Sequence, residues 1–350
     1  MKKSLKALAA ALLVTMGLGL AACGGNGGGA PAASAGEDNA PKQEAGQSND
    51  ETIHVGVIQY MEHGSLDLAR QGFVDGLAAA GYEEGKNITF DVHNAQQDQS
   101  NLQTIAQTFI NNKVDMVCAI ATPAAQTMAA ASADIPIVAT AVTDYVEAKL
   151  VDANEAPGHN VTGVSDMVSI EDQIDLLLEL APEAKTIGVM YSSNEINSEL
   201  QAGIAKDYII SLGLAYEEGT ITNSNDIQQA AQSLVNKIDA LYIPTDNVLA
   251  GSIPTLVMVT DEAKLPIVTG ATSMVEDGAL ATIGIDYYKL GLQTGAMAAK
   301  ILDGAATPAE MPVETAKDVM LVLNQGVADR LGIAIPESIL AREPQIVGEE

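Results

Sequence analysis

The stretch IHVGVIQYMEHGSLDLARQGFVDGL, residues 53–77, sets the pattern from which the rest of the chain can be read. Its first eight residues, 53–60, are β-rich and almost continuously apolar, as a strand covered on both faces must be. From Leu66 to Ala80 the pattern becomes helical. Between the two stand Glu62, His63 and Ser65. Strand, short polar turn and helix together make the building unit of a parallel sheet with helices packed on it.

The unit recurs. Further strands are expected at NITFDVHN (87–94), VDMVCAIA (114–121), IPIVATAV (135–142) and NVTGVSD (160–166). A second series follows at KTIGVMYS (185–192), LAYEEGTI (214–221), IDALYIP (238–244), LPIVTGA (265–271) and LATIGID (280–286). Helical patterns lie between them, among them Leu102 to Asn112, Ile170 to Glu179, Glu199 to Leu212 and Asp226 to Asn236. Two successive series of about five strands predict an α/β chain with two doubly wound parallel-sheet lobes.

Composition bounds the function. The 350 residues carry 17 Lys and Arg against 46 Asp and Glu, a formal charge of −29. Such a chain repels phosphates, so nucleic acid is excluded as a partner and adhesion to anionic lipid by charge is disfavoured. Hydrophobic residues make up 47%, enough for a sizeable core. The first segment reads as an address. Lys2, Lys3 and Lys6 precede an apolar run from Ala7 to Leu20, too short and too rich in Gly and Ala for a comfortable membrane span. Leu20-Ala21-Ala22-Cys23 then resembles a bacterial lipobox, in which the Cys is lipidated and becomes the new N-terminus. Residues 1–22 are thus expected to be a lipoprotein signal peptide, and 23–51 the lipidated Cys23 and a flexible, Gly-rich tether. Loss of residues 1–22 removes three Lys and no acid, leaving 14 − 46 = −32.

Several strands end in polar residues where a helix is about to begin: Thr122 after VDMVCAIA, Thr143 and Asp144 after IPIVATAV, Asn197 and Ser198 beyond KTIGVMYS, Asp246 and Asn247 after IDALYIP, Asp286 after LATIGID. Ligands of open α/β sheets bind outside the carboxyl ends of the strands, so two lobes facing each other there enclose a polar cleft. The bland alternative is that these residues cap helices, a task that also selects Ser, Thr, Asp and Asn. As a ligand site the set suits a zwitterion. Thr122-Pro123 and Asn197-Ser198 offer helix starts to a carboxylate, while Asp144, Asp246 and Asp286 offer negative charge to an ammonium. Asp246 is the residue on which an ammonium-anchor role is most firmly expected, with a helix cap as its alternative.

No catalytic set is expected. The four His residues (54, 63, 93, 159) never take metal-ligand spacing, no G-x-S-x-G elbow exists, and Cys118 lies inside an apolar strand. No cofactor and no metal are called for.

From Ile53 to Ile346 the chain resembles the solute-binding lipoproteins of ABC transporters related to the tryptophan- and tyrosine-binding proteins. The resemblance is carried by VGVIQYMEHGSLDLARQGFVDGL, GYEEGKNITFDVHNAQQD, VDMVCAIATPAAQTMAAA, IPIVATAVTDYVEAKLV, NVTGVSD, IGVMYSSNEINS, DALYIPTDN and GIDYYKLGLQTGAMAAKIL, in that order. It implies a type I periplasmic-binding-protein fold with three hinge crossings, near 161–168, 283–287 and 313–323. Lobe 1 would then hold 52–163 plus 286–312, and lobe 2 would hold 164–285 plus 313–350. His63, Ser65, Thr122, Thr143, Asp144, Asn197, Ser198, Asp246, Asn247 and Asp286 form the expected ligand site. Two departures border it: EHGSLD, where the family usually has Pro and Ala after Glu-His, and TDYVEAKLV, where Pro usually follows Thr-Asp. With no Trp, an aromatic wall must come from Tyr60, Tyr145, Tyr191, Tyr242 or Tyr287.

The resemblance implies a monomeric, non-enzymatic lipoprotein, exported and lipid-anchored to the outer face of the bacterial cell membrane. It would capture a small zwitterion, an amino acid with an aromatic or hydrophobic side chain, and deliver it to an ABC permease and its ATPase. The alternative is a receptor that signals its liganded state to a membrane partner without transport.

Overall fold

The computed structural model describes residues 52–348. The expected signal peptide, Cys23 and the whole of the expected tether, 23–51, lie outside these residues.

Each of the ten expected strands is present, its ends trimmed by at most two residues. β1 (Ile53–Gln59), β2 (Ile88–Asn94), β3 (Met116–Ile120), β4 (Ile137–Val142) and β5 (Val161–Ser165) form one sheet; β6 (Thr186–Ser192), β7 (Ala215–Ile221), β8 (Ala240–Ile243), β9 (Ile267–Thr269) and β10 (Ala281–Ile285) belong to another. Three short strands not anticipated from the sequence complete them: β11 (Glu314–Thr315), β12 (Val319–Asn324) and β13 (Gln345–Val347). The first sheet has the order β11-β5-β4-β3-β1-β2 and the second β13-β12-β10-β9-β8-β6-β7. Both repeat one winding, in which the first strand lies between the second and the third. Val55, Val57 and Ile58 on β1 are wholly buried because strands flank it and helices cover both faces.

Pairing is parallel throughout except at one place, where β12 runs antiparallel to β10. The chain explains the reversal. After β5 it passes to the second sheet, and after β10 it returns, because helix Tyr287–Leu302 packs along helix Gly64–Ala79. β11 then pairs with β5, Glu314 opposite Val164. Three residues later β12 enters the second sheet from the side facing the first. β5 therefore spans the boundary expected at 163/164, and β11, which falls in the segment expected in lobe 2, pairs in the first sheet.

The seam between those two helices is built of glycine. A Cβ on Gly72 would stand 2.0 Å from the carbonyl oxygen of Tyr288, and one on Gly291 would stand 2.2 Å from that of Ala69. Only bare backbone permits this approach, and it fixes where Tyr287 and the return crossing lie.

Candidate functional site

In a sheet wound this way, the crevice opens where the strand order reverses, between the first strand and the third. Those are β1 and β3 in one sheet, β6 and β8 in the other. The segments after β1, β6 and β8 carry His63, Asn197, Asp246 and Asn247, and all four line one small, nearly filled cavity. Leu66, Ala141, Thr143, Asp166, Thr245, Ala250, Ala271, Met274 and Tyr287 complete its wall.

The loops of the two sheets touch across this cleft. His63 Nε2 lies 3.2 Å from Asn247 Oδ1. The Ser65 and Ser273 hydroxyls are 2.7 Å apart. Thr143 Oγ1 is 3.3 Å from Thr245 Oγ1, and Gln201 Nε2 donates to both. The His63 turn is held from behind: buried Gln59 donates to the Met61 carbonyl and to Asp67, and accepts from Arg70 (2.8, 2.8 and 3.0 Å). Arg70 is thus partly buried and tied to the turn through Gln59 and Asp67.

The expected residues divide. His63, Thr143, Asn197, Asp246 and Asn247 meet at the cavity. Ser65 and Ser198 are buried but are not part of the wall. Thr122 is buried at a helix start and is not part of the wall. Asp144 turns back on its own loop, accepting from the backbone N–H of Val146 and Glu147 at 2.9 Å each. Asp286 caps helix Tyr287–Leu302 through Lys289 N, 3.0 Å. Asp246 is also a cap: Oδ1 accepts from Leu249 N (2.8 Å) and Oδ2 from Ser192 N (2.6 Å), so both its oxygens have backbone partners.

Two acids not singled out from the sequence stand out here. Asp166 closes the stretch NVTGVSD just past β5 and is 4% exposed; its Oδ2 accepts from the Tyr287 hydroxyl (3.1 Å), while Oδ1 has no protein partner. Glu195, 1% exposed, collects N–H donors from Asn247 and Asn197 on Oε2, and its Oε1 has none. Burial pushes Asp166 up to about 6, against the pull of the Tyr287 and Thr143 hydroxyls. Burial and then the charge of Asp246 push Glu195 up as well, and burial raises Asp246. His63 is shifted the other way, below its usual value, because burial disfavours the imidazolium. Two buried acids, Asp166 and Asp246, thus line a cavity whose wall includes no Lys or Arg. A bound cation would relieve them.

Among the tyrosines, Tyr287 lines the cavity and Tyr60 is buried near Glu195 and Asp246. Tyr145 and Tyr242 are core residues that donate to Ala139 O (2.8 Å) and Gln173 Oε1 (2.6 Å), and Tyr191 points to Glu218 on the surface. Ala141 reaches the wall because β4 bulges between Ala139 and Val142, with Ala141 held at φ 54°. Cys118 is wholly buried, and burial pushes its thiol up, so it is inert. No cluster of His, Cys, Asp and Glu suited to a metal occurs among the described residues, and no described helix is long and apolar enough to cross a membrane.

Two α/β lobes whose polar strand ends face each other across a closed cleft define a ligand clamp of the type I periplasmic-binding-protein class. Solved structures of sugar-binding proteins and LacI-type regulators, at 10–17% identity and TM-scores of 0.54–0.60, share that fold. The chain belongs to the family of ABC transporter substrate binding proteins, which it matches over residues 54–347. Its relatives there are binding proteins, not enzymes. A tyrosine-binding protein of Clostridioides difficile is 42% identical over 287 residues, 82% of this chain and 83% of that one. An ABC domain from Streptococcus pneumoniae in complex with L-Trp is 40% identical, covering 85% of this chain and all of that one with a TM-score of 0.82. A ligand-free, open structure of a Clostridium difficile substrate-binding protein with adhesive properties is 43% identical, with the same coverage and a TM-score of 0.66.

Proposed function

We propose that this protein is the binding component of an ABC importer and captures an aromatic amino acid as its zwitterion in the cleft between the two sheets. The observation that carries the reading is Asp166: a carboxylate buried at the cavity wall with one oxygen unpartnered, in a cleft with no Lys or Arg in its lining. An ammonium is the group such an oxygen lacks. The role of ammonium anchor, expected for Asp246, passes to Asp166 because the oxygens of Asp246 are occupied by the backbone. The ligand carboxylate, with no Arg or Lys to meet it, takes uncharged donors. Leu66, Ala250, Ala271 and Met274 give the side chain an apolar bed. The contacts across the cleft, and the higher TM-score to the L-Trp complex than to the open structure at similar identity, support a clamp drawn in its closed arrangement.

On this reading the protein is exported, processed at Cys23 and diacylated there, since one acyl chain anchors only marginally. It works as a monomer on the outer face of the cell membrane and passes its ligand to a permease driven by an ATPase. Mass spectrometry of small molecules released from the purified protein tests the ligand class: tyrosine or tryptophan is expected, and a sugar or an anion would overturn the reading. Cys23→Ala should release the protein from membranes or leave it unprocessed; membrane fractionation like that of the processed wild type would remove the anchor.

A further inference from the structure

The proton positions around His63 can be worked out one bond at a time. Glu195 Oε2 accepts from the backbone N–H of Asn247 and from Asn197 Nδ2, both at 3.4 Å, so it is the carbonyl oxygen of that carboxyl and its proton lies on Oε1. The Asn247 side-chain atom bonded to the same oxygen must then be its NH₂ group, Nδ2. That orients the amide and leaves Asn247 Oδ1 facing His63 Nε2 at 3.2 Å. An amide oxygen only accepts, so Nε2 carries the proton. Burial keeps the ring neutral. Nδ1 is therefore a bare lone pair, shut off from solvent and without a protein partner. A buried acceptor in that condition costs free energy until something donates to it.

Two groups of elements build the cavity wall. Asp166, Tyr287, Thr143 and Ala141 come from β4, the end of β5 and the return crossing. His63 shares its helix with Leu66, bonds to the segment Asn247–Ala250, and adjoins helix Thr272–Glu276 through the contact of Ser65 with Ser273. Leu66, Ala250 and Met274 thus come from the elements that meet at the imidazole, and the carboxylate that takes the ammonium comes from the other group.

We infer that His63 Nδ1 is the specificity-determining acceptor of the site, reading a hydrogen-bond donor at the far end of the ligand's side chain: a phenol O–H or an indole N–H. This rests on the aromatic amino-acid reading above and adds to it that phenylalanine, which fills the bed but donates nothing, is discriminated against. Sites built to pair a buried polar group reject analogues that leave it unpaired far more strongly than apolar pockets reject a lost methylene.

Calorimetric titration of the wild-type protein with L-tyrosine, L-tryptophan and L-phenylalanine provides the test, repeated on His63→Leu. The expected result is that tyrosine, tryptophan or both bind about ten- to a hundredfold tighter than phenylalanine. The comparison of tyrosine with tryptophan tells which donor the site accepts. In His63→Leu the preference should vanish, with phenylalanine affinity kept or improved. Equal affinity for all three in the wild type overturns the inference without relying on any variant. So does a His63→Leu protein that loses all three ligands equally, because His63 would then only position Asn247. Binding of none of the three overturns the ligand reading itself, and the inference with it.

Discussion

Replacing Asp166 by Asn separates the ligand's interest from that of the fold. The substitution keeps the shape of the side chain and leaves an oxygen to accept from the Tyr287 hydroxyl. It removes the charge. Burial raises the Asp166 carboxyl from 3.8 to about 6. At about 1.4 kcal/mol per unit, keeping it ionised in the closed ligand-free cleft costs about 3 kcal/mol. Asp166→Asn should therefore stabilise the ligand-free protein, by up to that amount above pH 7. Binding should suffer in the opposite sense. An ammonium left unpaired in a closed cleft costs about 2–5 kcal/mol, roughly 30- to several-thousand-fold in affinity. Wild-type affinity should also fall as pH drops below about 6, where the proton competes for Asp166, and the variant should lose that dependence. Thermal melts and calorimetry on the same samples read both effects. A variant that binds the amino acid as tightly as wild type would refute the anchoring argument, whatever its stability.

The glycine seam makes a steric prediction: Gly72→Ala or Gly291→Ala should lower the melting temperature sharply, by about 3 kcal/mol or more in stability, because the new methyl meets backbone on the facing helix. Gly203→Ala, on an open face of helix Ile196–Ser211, should instead stabilise by roughly 1 kcal/mol. Glu195, raised toward about 8 by burial and by Asp246, holds a proton in the folded protein that the unfolded chain gives up near 4.5. The folded state thus binds more protons in that window, so stability should fall as pH rises from about 5 to 8, and Glu195→Gln should flatten the slope in pH-dependent melts. Asp246→Ala removes partners from two buried backbone N–H groups and should destabilise by about 2–4 kcal/mol in a denaturant titration; unchanged stability would mean the cap is dispensable.

The winding of the sheets was legible because parallel strands buried on both faces must be apolar along their length, and IHVGVIQY and its counterparts are. Short edge strands such as β11 and β13 escape that logic, since two or three paired residues carry no periodicity. The loops at the switch points were legible as clusters of polar residues after strands, and five of the ten expected side chains meet at the cavity. Capping and ligand binding select the same residue types, so Asp144 and Asp286 could not be told from Asp246 before the geometry was known. Asp166 was visible as the acid that ends NVTGVSD. Its significance depends on an oxygen left without a partner, and that is a property of the packed fold alone. Ala141 had no signal, because a bulge brought it to the wall.

A crystal structure of the protein grown with L-tyrosine or L-tryptophan tests the clamp most directly. The amino acid should lie between the two sheets, its ammonium within hydrogen-bond distance of Asp166 Oδ1 and its side chain against Leu66, Ala250 and Met274. A ligand bound outside this cleft, or one whose ammonium stands away from Asp166, would contradict the zwitterion clamp.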